Sequence, residues 1–256
     1  MDYLQLEWKE QVALITIQSP PANALASYIL KDLAKALDEI EKKGAKAVVL
    51  KGEGRFFSAG ADIKEFTSLQ KQSEYSNLAK QGQDIFNRIE TFHVPVIAAI
   101  HGAALGGGLE LAMSCHLRIV TEKAKLGLPE LNLGIIPGFA GTQRLPRYVG
   151  QAKAYEMILT GEPISGSEAA AVGLANHAVA EEQLEDFTMS LAHKISEKSG
   201  PSIHAVMGLV PYSYTSNFES GLKAEQEAFG QVFGNEDAKE GVQAFIDKRK
   251  PQFNDQ

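Results

Sequence analysis

Val12-Ala13-Leu14-Ile15-Thr16-Ile17, followed by the stretch from Ser27 to Gly44 and then by Ala47-Val48-Val49-Leu50, decides the fold. The first and last of these runs are short, apolar and β-branched, and read as strands. Ser19-Pro20-Pro21 closes the first, and Gly52-Glu53-Gly54 closes the second. Between them Ile29, Leu30, Leu33, Ala36, Leu37 and Ile40 recur at helical spacing, with Ser27 as the expected N-cap and Gly44 as the stop. Two strands without a polar face, joined by an amphipathic helix, predict parallel strands covered on both sides. The class is α/β.

Reading outward, Ile85, Phe86 and Ile89 continue an amphipathic helix, and Val94-Pro95-Val96-Ile97-Ala98-Ala99-Ile100 begins a buried strand. A glycine-rich turn from Gly102 to Gly108 leads into a helix at Leu109-Glu110-Leu111-Ala112-Met113, and Leu117-Arg118-Ile119-Val120 is a further strand. Residues 67–82 are polar and admit two readings, a solvated helix or loop and a mobile flap over a pocket. The last third is mostly helical. Ser165-Gly166-Ser167-Glu168 reads as a capping box with Gly173 just past the end of its helix, and Glu181 to Lys198 as one helix stopped at Gly200-Pro201. Phe218, Leu222, Phe229 and Phe233 share one helical face, and Val242, Phe245 and Ile246 another. No repeat of fixed period is visible. The expected division is a core domain over residues 1–195 and a helical C-terminal region over 196–256.

Composition excludes several classes. The 256 residues are 44% hydrophobic and 22% charged, an ordinary globular balance. Mass scaling puts roughly 73% of the unfolded surface out of water on folding, so the core needs no disulfide or metal. One cysteine, Cys115, excludes an internal disulfide framework and fits a reducing compartment. Six histidines show no HExxH pattern and no pairing with cysteine at zinc spacing, so no metal site is expected. The longest apolar run, Val96 to Ile100, is far too short for a membrane span. Met1-Asp2-Tyr3-Leu4-Gln5-Leu6-Glu7 has neither signal nor transit character, and a net charge of −7 argues against nucleic acid as the main partner. The expectation is a cytoplasmic protein that engages neither membrane nor nucleic acid.

Two stretches ask for a chemical reason. One is Phe56-Phe57-Ser58-Ala59-Gly60-Ala61-Asp62-Ile63, where a strand end meets small residues; the other is His101-Gly102-Ala103-Ala104-Leu105-Gly106-Gly107-Gly108-Leu109-Glu110. Three consecutive glycines ahead of a helix let backbone approach a ligand and expose N–H groups at the helix's positive end. A phosphate loop is excluded, because Leu109-Glu110 follows where Lys-Ser/Thr belongs, and no dinucleotide fingerprint opens a helix here. Glu110 falls in the first turn after the glycines, and Leu126-Gly127-Leu128-Pro129-Glu130 brings a second carboxylate. By themselves these two glutamates read equally as a dipole-compensating surface residue and a turn residue. Cys115 reads as a small core residue, His101 as a packed or solvent-edge imidazole, and Asp62 as a cap for the helix that follows it.

In combination, Ser58-Ala59-Gly60-Ala61-Asp62, Ala104 through Glu110, and Pro129-Glu130 through Ile136-Pro137-Gly138 with Gly141-Thr142-Gln143-Arg144-Leu145 resemble the crotonase (enoyl-CoA hydratase) superfamily. The similarity runs on to Phe245-Ile246-Asp247-Lys248-Arg249-Lys250. The resemblance implies a crotonase-like (ClpP/crotonase) fold, with repeated ββα units forming a spiral core and a helical C-terminal trimerisation region. It implies an acyl-CoA thioester substrate, no cofactor beyond the coenzyme A carried by that substrate, and a homotrimer or dimer of trimers. The backbone N–H groups of Ala61 and Gly107 then hold the thioester oxygen, where charge accumulates when a proton is added or removed at C2. Glu110 orients and activates water, and Glu130 exchanges the C2 proton, which requires that the pair keep at least one proton between them. Ala22, Ala24, Ala59, Gly60, Asp62, Ile63, Gly106, Pro129 and Gly138 are the implied substrate contacts. Phe245 and Lys248 match positions that reach a neighbouring subunit's CoA.

Retention of both glutamates favours reversible syn addition of water to trans-2-enoyl-CoA, giving 3-hydroxyacyl-CoA, as in fatty-acid β-oxidation. The rivals are Δ3-Δ2-enoyl-CoA isomerisation, which needs one carboxylate, and a non-catalytic CoA- or RNA-binding role. Two departures from the family pattern stand out. No lysine precedes Asn23-Ala24-Leu25, and Phe139-Ala140 stands where two small residues are common. Phe139 either narrows the acyl pocket or packs in the core.

Overall fold

The computed structural model describes residues 1–62, 65, 71–214 and 217–255. Strand β1 (Leu4–Lys9) pairs antiparallel with β2 (Val12–Ile17). From β2 the large sheet runs parallel through β3 (Ala47–Gly52), β4 (Val96–Ile100) and β6 (Leu117–Thr121) to β9 (His177–Val179). Alternate residues of β2 to β4 enter two separate cores. Ala13, Ile15, Val48, Leu50 and Ala98 join the main one, while Val12, Leu14, Ala47, Val49, Ile97 and Ala99 pack with Leu184 and Ala192 on the other face. That two-sided burial is why these strands carry no polar face.

A second, smaller layer sits beside the first. Strand β5 (Ala103–Leu105) pairs parallel with β7 (Lys125–Gly127), which pairs antiparallel with β8 (Ile164–Ser165). Single parallel bridges, Ser58 to Ala104 and Leu25 to Ala61, extend this layer backwards along the chain. Each coil therefore lays a long strand in the large sheet, a short one in the second layer, and then a helix. The helices are α1 (Ser27–Lys43), α2 (Gln72–Glu90), α3 (Gly107–Ser114) and α4 (Gly141–Thr160). This is the ββα spiral implied by the sequence resemblance.

Local signals hold with three corrections. Gly44 ends α1 in the left-handed region (φ 80°) and donates its N–H to Ile40 O at 2.9 Å. Ser27 is not the N-cap but the first helical residue, after Ala26. Its N–H and hydroxyl instead donate to the Glu65 carboxylate at 2.9 and 2.7 Å, so a distant acid caps this end. Residues 72–82 belong to α2, which favours the solvated-helix reading there, while 67–70 lie outside the described residues. Ser165 accepts the Glu168 N–H at 3.1 Å ahead of α5 (Gly166–Ala171), but the Glu168 carboxylate turns to Lys153 at 2.8 Å, leaving half a capping box.

Glu181–Gln183 is a 3-10 turn before α6 (Leu184–Ser196). Gly200-Pro201 opens the next helix, α7 (Gly200–Leu209), with proline in its first turn, where its missing N–H costs nothing. Helices α8 (Phe218–Phe233) and α9 (Glu236–Ile246) follow. Asp255 ties this end to the core: it accepts the Gly200 N–H at 2.8 Å and pairs with the buried Lys46 ammonium at 2.7 Å. Among the described residues no helix is long and apolar enough to cross a membrane.

Candidate active site

Gly60 begins the site. Its φ of 111° suits glycine alone, and a Cβ there would sit 2.9 Å from Leu105 O. Leu25 donates its N–H to Gly60 O at 2.7 Å and accepts from the Asp62 N–H at 3.4 Å. A parallel bridge uses the groups flanking the bridged residue, so the Ala61 N–H is directed away from Leu25. Gly107 lies close by: a Cβ there would fall 3.2 Å from Ala61 N. Gly107 is the first residue of α3, so its own N–H has no partner within the helix. Among the described residues neither amide donates a hydrogen bond.

Ser58 holds this loop from beneath. Fully buried, its hydroxyl donates to Asn23 O at 2.8 Å and accepts the Gly60 N–H at 3.3 Å. Asn23, itself buried, reaches Glu53 O and Phe56 O with its amide.

Glu110 is 1% exposed, so the surface dipole-compensating reading does not apply. Its Oε1 accepts the Phe139 and Gly141 N–H groups at 2.8 and 2.6 Å, from the turn that starts α4. Burial pushes its carboxyl from 4.5 up to about 7, with the like charge of Glu130 adding to the rise and the two amides opposing it. Glu130 lies in the 3-10 turn Pro129–Leu133, and burial raises its carboxyl too. Its Oε2 is buried without a partner, and its Oε1 sits 2.9 Å from where a Cβ on Gly106 would be. The Gly106 φ of 51° therefore serves both chain direction and clearance for an acid.

These groups share one cavity of about 920 Å³. Of the expected residues, Ala59, Gly60, Ala61, Gly106, Gly107, Glu110, Pro129, Glu130 and Gly138 line it. Ala22, Ala24 and Asp62 do not, although Ala22 O accepts the Ala59 N–H at 2.9 Å just behind the wall. Ile63, with the helix expected after Asp62, lies outside the described residues. Phe245 and Lys248 do not line the cavity either; both are exposed, one at the end of α9 and the other just past it. Sequence reasoning missed Ala79 of α2 and the apolar lip of Leu133, Ile135 and Ile136. Phe139 packs in the core, edge-on against Phe86 at 5.3 Å and wedged over Gly82 and Gly107, and its ring also lines the cavity. Cys115 is buried with its thiol pushed up to about 12, and so is inert. Among the described residues no group of three His, Cys, Asp or Glu side chains is placed to hold a metal ion.

Residues 7–256 match the family described as enoyl-CoA hydratase/isomerase. Among curated proteins, the chain is 56% identical to a probable enoyl-CoA hydratase of Bacillus subtilis over 99% of either chain. It is 40% identical to the short-chain-enoyl-CoA hydratase of Clostridium acetobutylicum, over 96% of this chain and 95% of that one. Among solved structures, an enoyl-CoA hydratase from Bacillus anthracis shares the fold with a TM-score of 0.94 at 34% identity, covering 99% of this chain and all of that one.

Proposed function

Because the chain belongs to the enoyl-CoA hydratase/isomerase family, we propose that its pocket adds water reversibly to the double bond of a trans-2-enoyl-CoA, giving a 3-hydroxyacyl-CoA. The observation that carries this reading is that two glutamates of raised proton affinity line the same cavity as two backbone amides that, among the described residues, donate no hydrogen bond. The thioester oxygen is bound by the Ala61 and Gly107 N–H groups. As the oxygen of water bonds to C3, the C2–C3 double-bond electrons shift toward C1 and the carbonyl pair moves onto the thioester oxygen, where two fixed donors stabilise the enolate. Glu110, its carboxylate oriented by the Phe139 and Gly141 amides, takes the proton from water. Glu130 gives its proton to C2.

The pair thus starts and ends with one proton, having exchanged its location. In the reverse direction Glu130 takes the C2 proton and Glu110 protonates the departing hydroxyl, so the two singly protonated forms serve the two directions. The step balances without electron transfer, and coenzyme A arrives as part of the substrate.

A pH dependence follows. Both carboxyls lie above the ordinary glutamate value, so kcat/KM rises as the first proton leaves the pair and falls as pH passes about 7, where the pair loses its shared one. A profile flat from about pH 5 to about pH 9 would remove the shared proton from the mechanism. The reaction itself is read as loss of conjugated-thioester absorbance with trans-2-enoyl-CoA substrates. No loss with any chain length, together with conversion of a 3-enoyl-CoA to the conjugated isomer, would replace hydration by isomerisation.

The proposal extends to assembly. Phe218, Phe229, Phe233 and Phe245 are 71%, 68%, 59% and 85% exposed, more aromatic surface than a lone chain leaves in water. They support a homotrimer, or two trimers paired, built on the C-terminal helices. Sedimentation at the 27.7 kDa of one chain would reject this. The free, buried cysteine supports a reducing compartment, and with it the cytoplasm.

A further inference from the structure

Arg144 belongs to the Gly141–Leu145 motif and has no task in the chemistry above. We propose that Arg144 is a positioning residue for Glu110, acting through the Phe139–Gly141 turn and anchored by Glu90 and Asn87 of α2; this rests on the hydration reading of Glu110. Arg144 is 2% exposed. Its Nη1 donates to Phe139 O at 2.9 Å, the carbonyl of a residue whose N–H binds Glu110. Its Nε and Nη2 donate to Glu90 Oε2 at 3.0 and 2.9 Å, and Nη2 also donates to Asn87 Oδ1 at 2.7 Å. Gln83, on the same helix, donates to Gly138 O at 2.8 Å.

The turn needs such fixing. Ala140, between the two donating amides, has φ 73°, a conformation that a residue with a Cβ adopts only when its surroundings impose it. Helix α2 therefore sets the cradle of Glu110 through a planar guanidinium whose several donors fix direction as well as distance.

Arg144 also acts by charge. The charged groups facing Glu110 are Glu130, from the Pro129–Leu133 turn, and Arg144, from α4. Behind Arg144 stand Glu90 of α2 and Arg147 of α4, the latter 3.0 Å from Glu90 Oε1. The Arg144 cation favours ionised Glu110, against burial and Glu130.

Three variants test this: Arg144→Met, Arg144→Lys and Glu90→Gln. Each is read by kcat, by the upper limb of kcat/KM against pH, and by carboxyl carbon NMR titration of Glu110, identified by the signal lost in Glu110→Gln. Arg144→Met is expected to lower kcat on the order of 10²-fold, through misplacement, and to move the upper limb up by about one pH unit. Glu90→Gln, which leaves the cation less neutralised, moves it down. Arg144→Lys keeps the charge but loses the fork, so its limb stays near that of the unmodified enzyme while kcat remains reduced. Unmoved limbs in both Arg144→Met and Glu90→Gln overturn the proposal, whatever kcat does. If Arg144→Met does not fold, Glu90→Gln decides alone, since Glu90 is partly solvent-facing. The NMR titration needs no turnover. Shifts in the expected directions without hydration would sink the reaction and leave the positioning role standing.

Discussion

Glu130→Gln lowers kcat by about 10²–10⁴-fold while a CoA thioester still binds, and Glu110→Gln does the same. An amide keeps the shape of the acid but neither delivers a proton to C2 nor takes one from water. At position 110 the substitution is a clean one, because the remaining carbonyl oxygen can still accept from Phe139 and Gly141. The cradle stays and only the base is lost. Steady-state hydration rates alongside calorimetric binding of a saturated acyl-CoA separate the two quantities; unmodified turnover in either variant would strip that residue of its role. The same change has a second, opposite effect on stability. The folded carboxyl of Glu110 ionises near 7 against 4.5 for the ordinary group, so the folded state favours the protonated form. That contribution is intact below the ordinary value and lost as pH rises through about 7. Glu110→Gln therefore gains stability over the parent at pH 8, on the order of 3 kcal/mol, and gains almost nothing near pH 4. Thermal melts at the two pH values check this.

Gly107→Ala removes about 10²–10³-fold from kcat. A methyl group there lies 3.2 Å from Ala61 N and 3.2 Å from the Phe139 ring, and neither neighbour can retreat freely. Ala61 is fixed through Gly60 and Asp62 by Leu25, and Phe139 is wedged over Gly82. Either the two amides spread or the methyl fills the space meant for the thioester oxygen. Equal rates for Gly107→Ala and the parent would mean that the oxygen is bound elsewhere.

Strands β2 and β4 are legible in the sequence because a strand covered on both faces has no polar face: Val12–Ile17 carries a single hydroxyl, the buried Thr16, and Val96–Ile100 none. The second layer is not legible. Strands β5, β7 and β8 are two or three residues long, and Leu25 and Ser58 pair singly, too briefly for any period to show. Unequal connections between successive coils hide the repeat for the same reason. Gly60 and Gly106 announce their positive φ by residue type, and the two acids announce their chemistry. What surrounds the acids is silent: Glu110 is held by the amides of residues 139 and 141, and no side-chain pattern marks a backbone N–H. Ser27 reads as a cap because its true partner, Glu65, lies 38 residues further on. Leu133, Ile135 and Ile136 give no sign of forming an exposed lip, since apolar type alone does not say which apolar residues a pocket leaves in water.

One donor comes from the second coil of the spiral, the other donor and one acid from the third, and the remaining acid from the fourth. On the proposed mechanism, a chain still emerging from the ribosome offers no hydration: up to Glu130 it lacks the proton donor, and until Phe139 and Gly141 are in place the carboxyl at 110 lacks the amides that aim it. The proposed site is thus complete only once the fourth coil has docked on the third, and slippage between those two would part the acid at 110 from the amides that aim it.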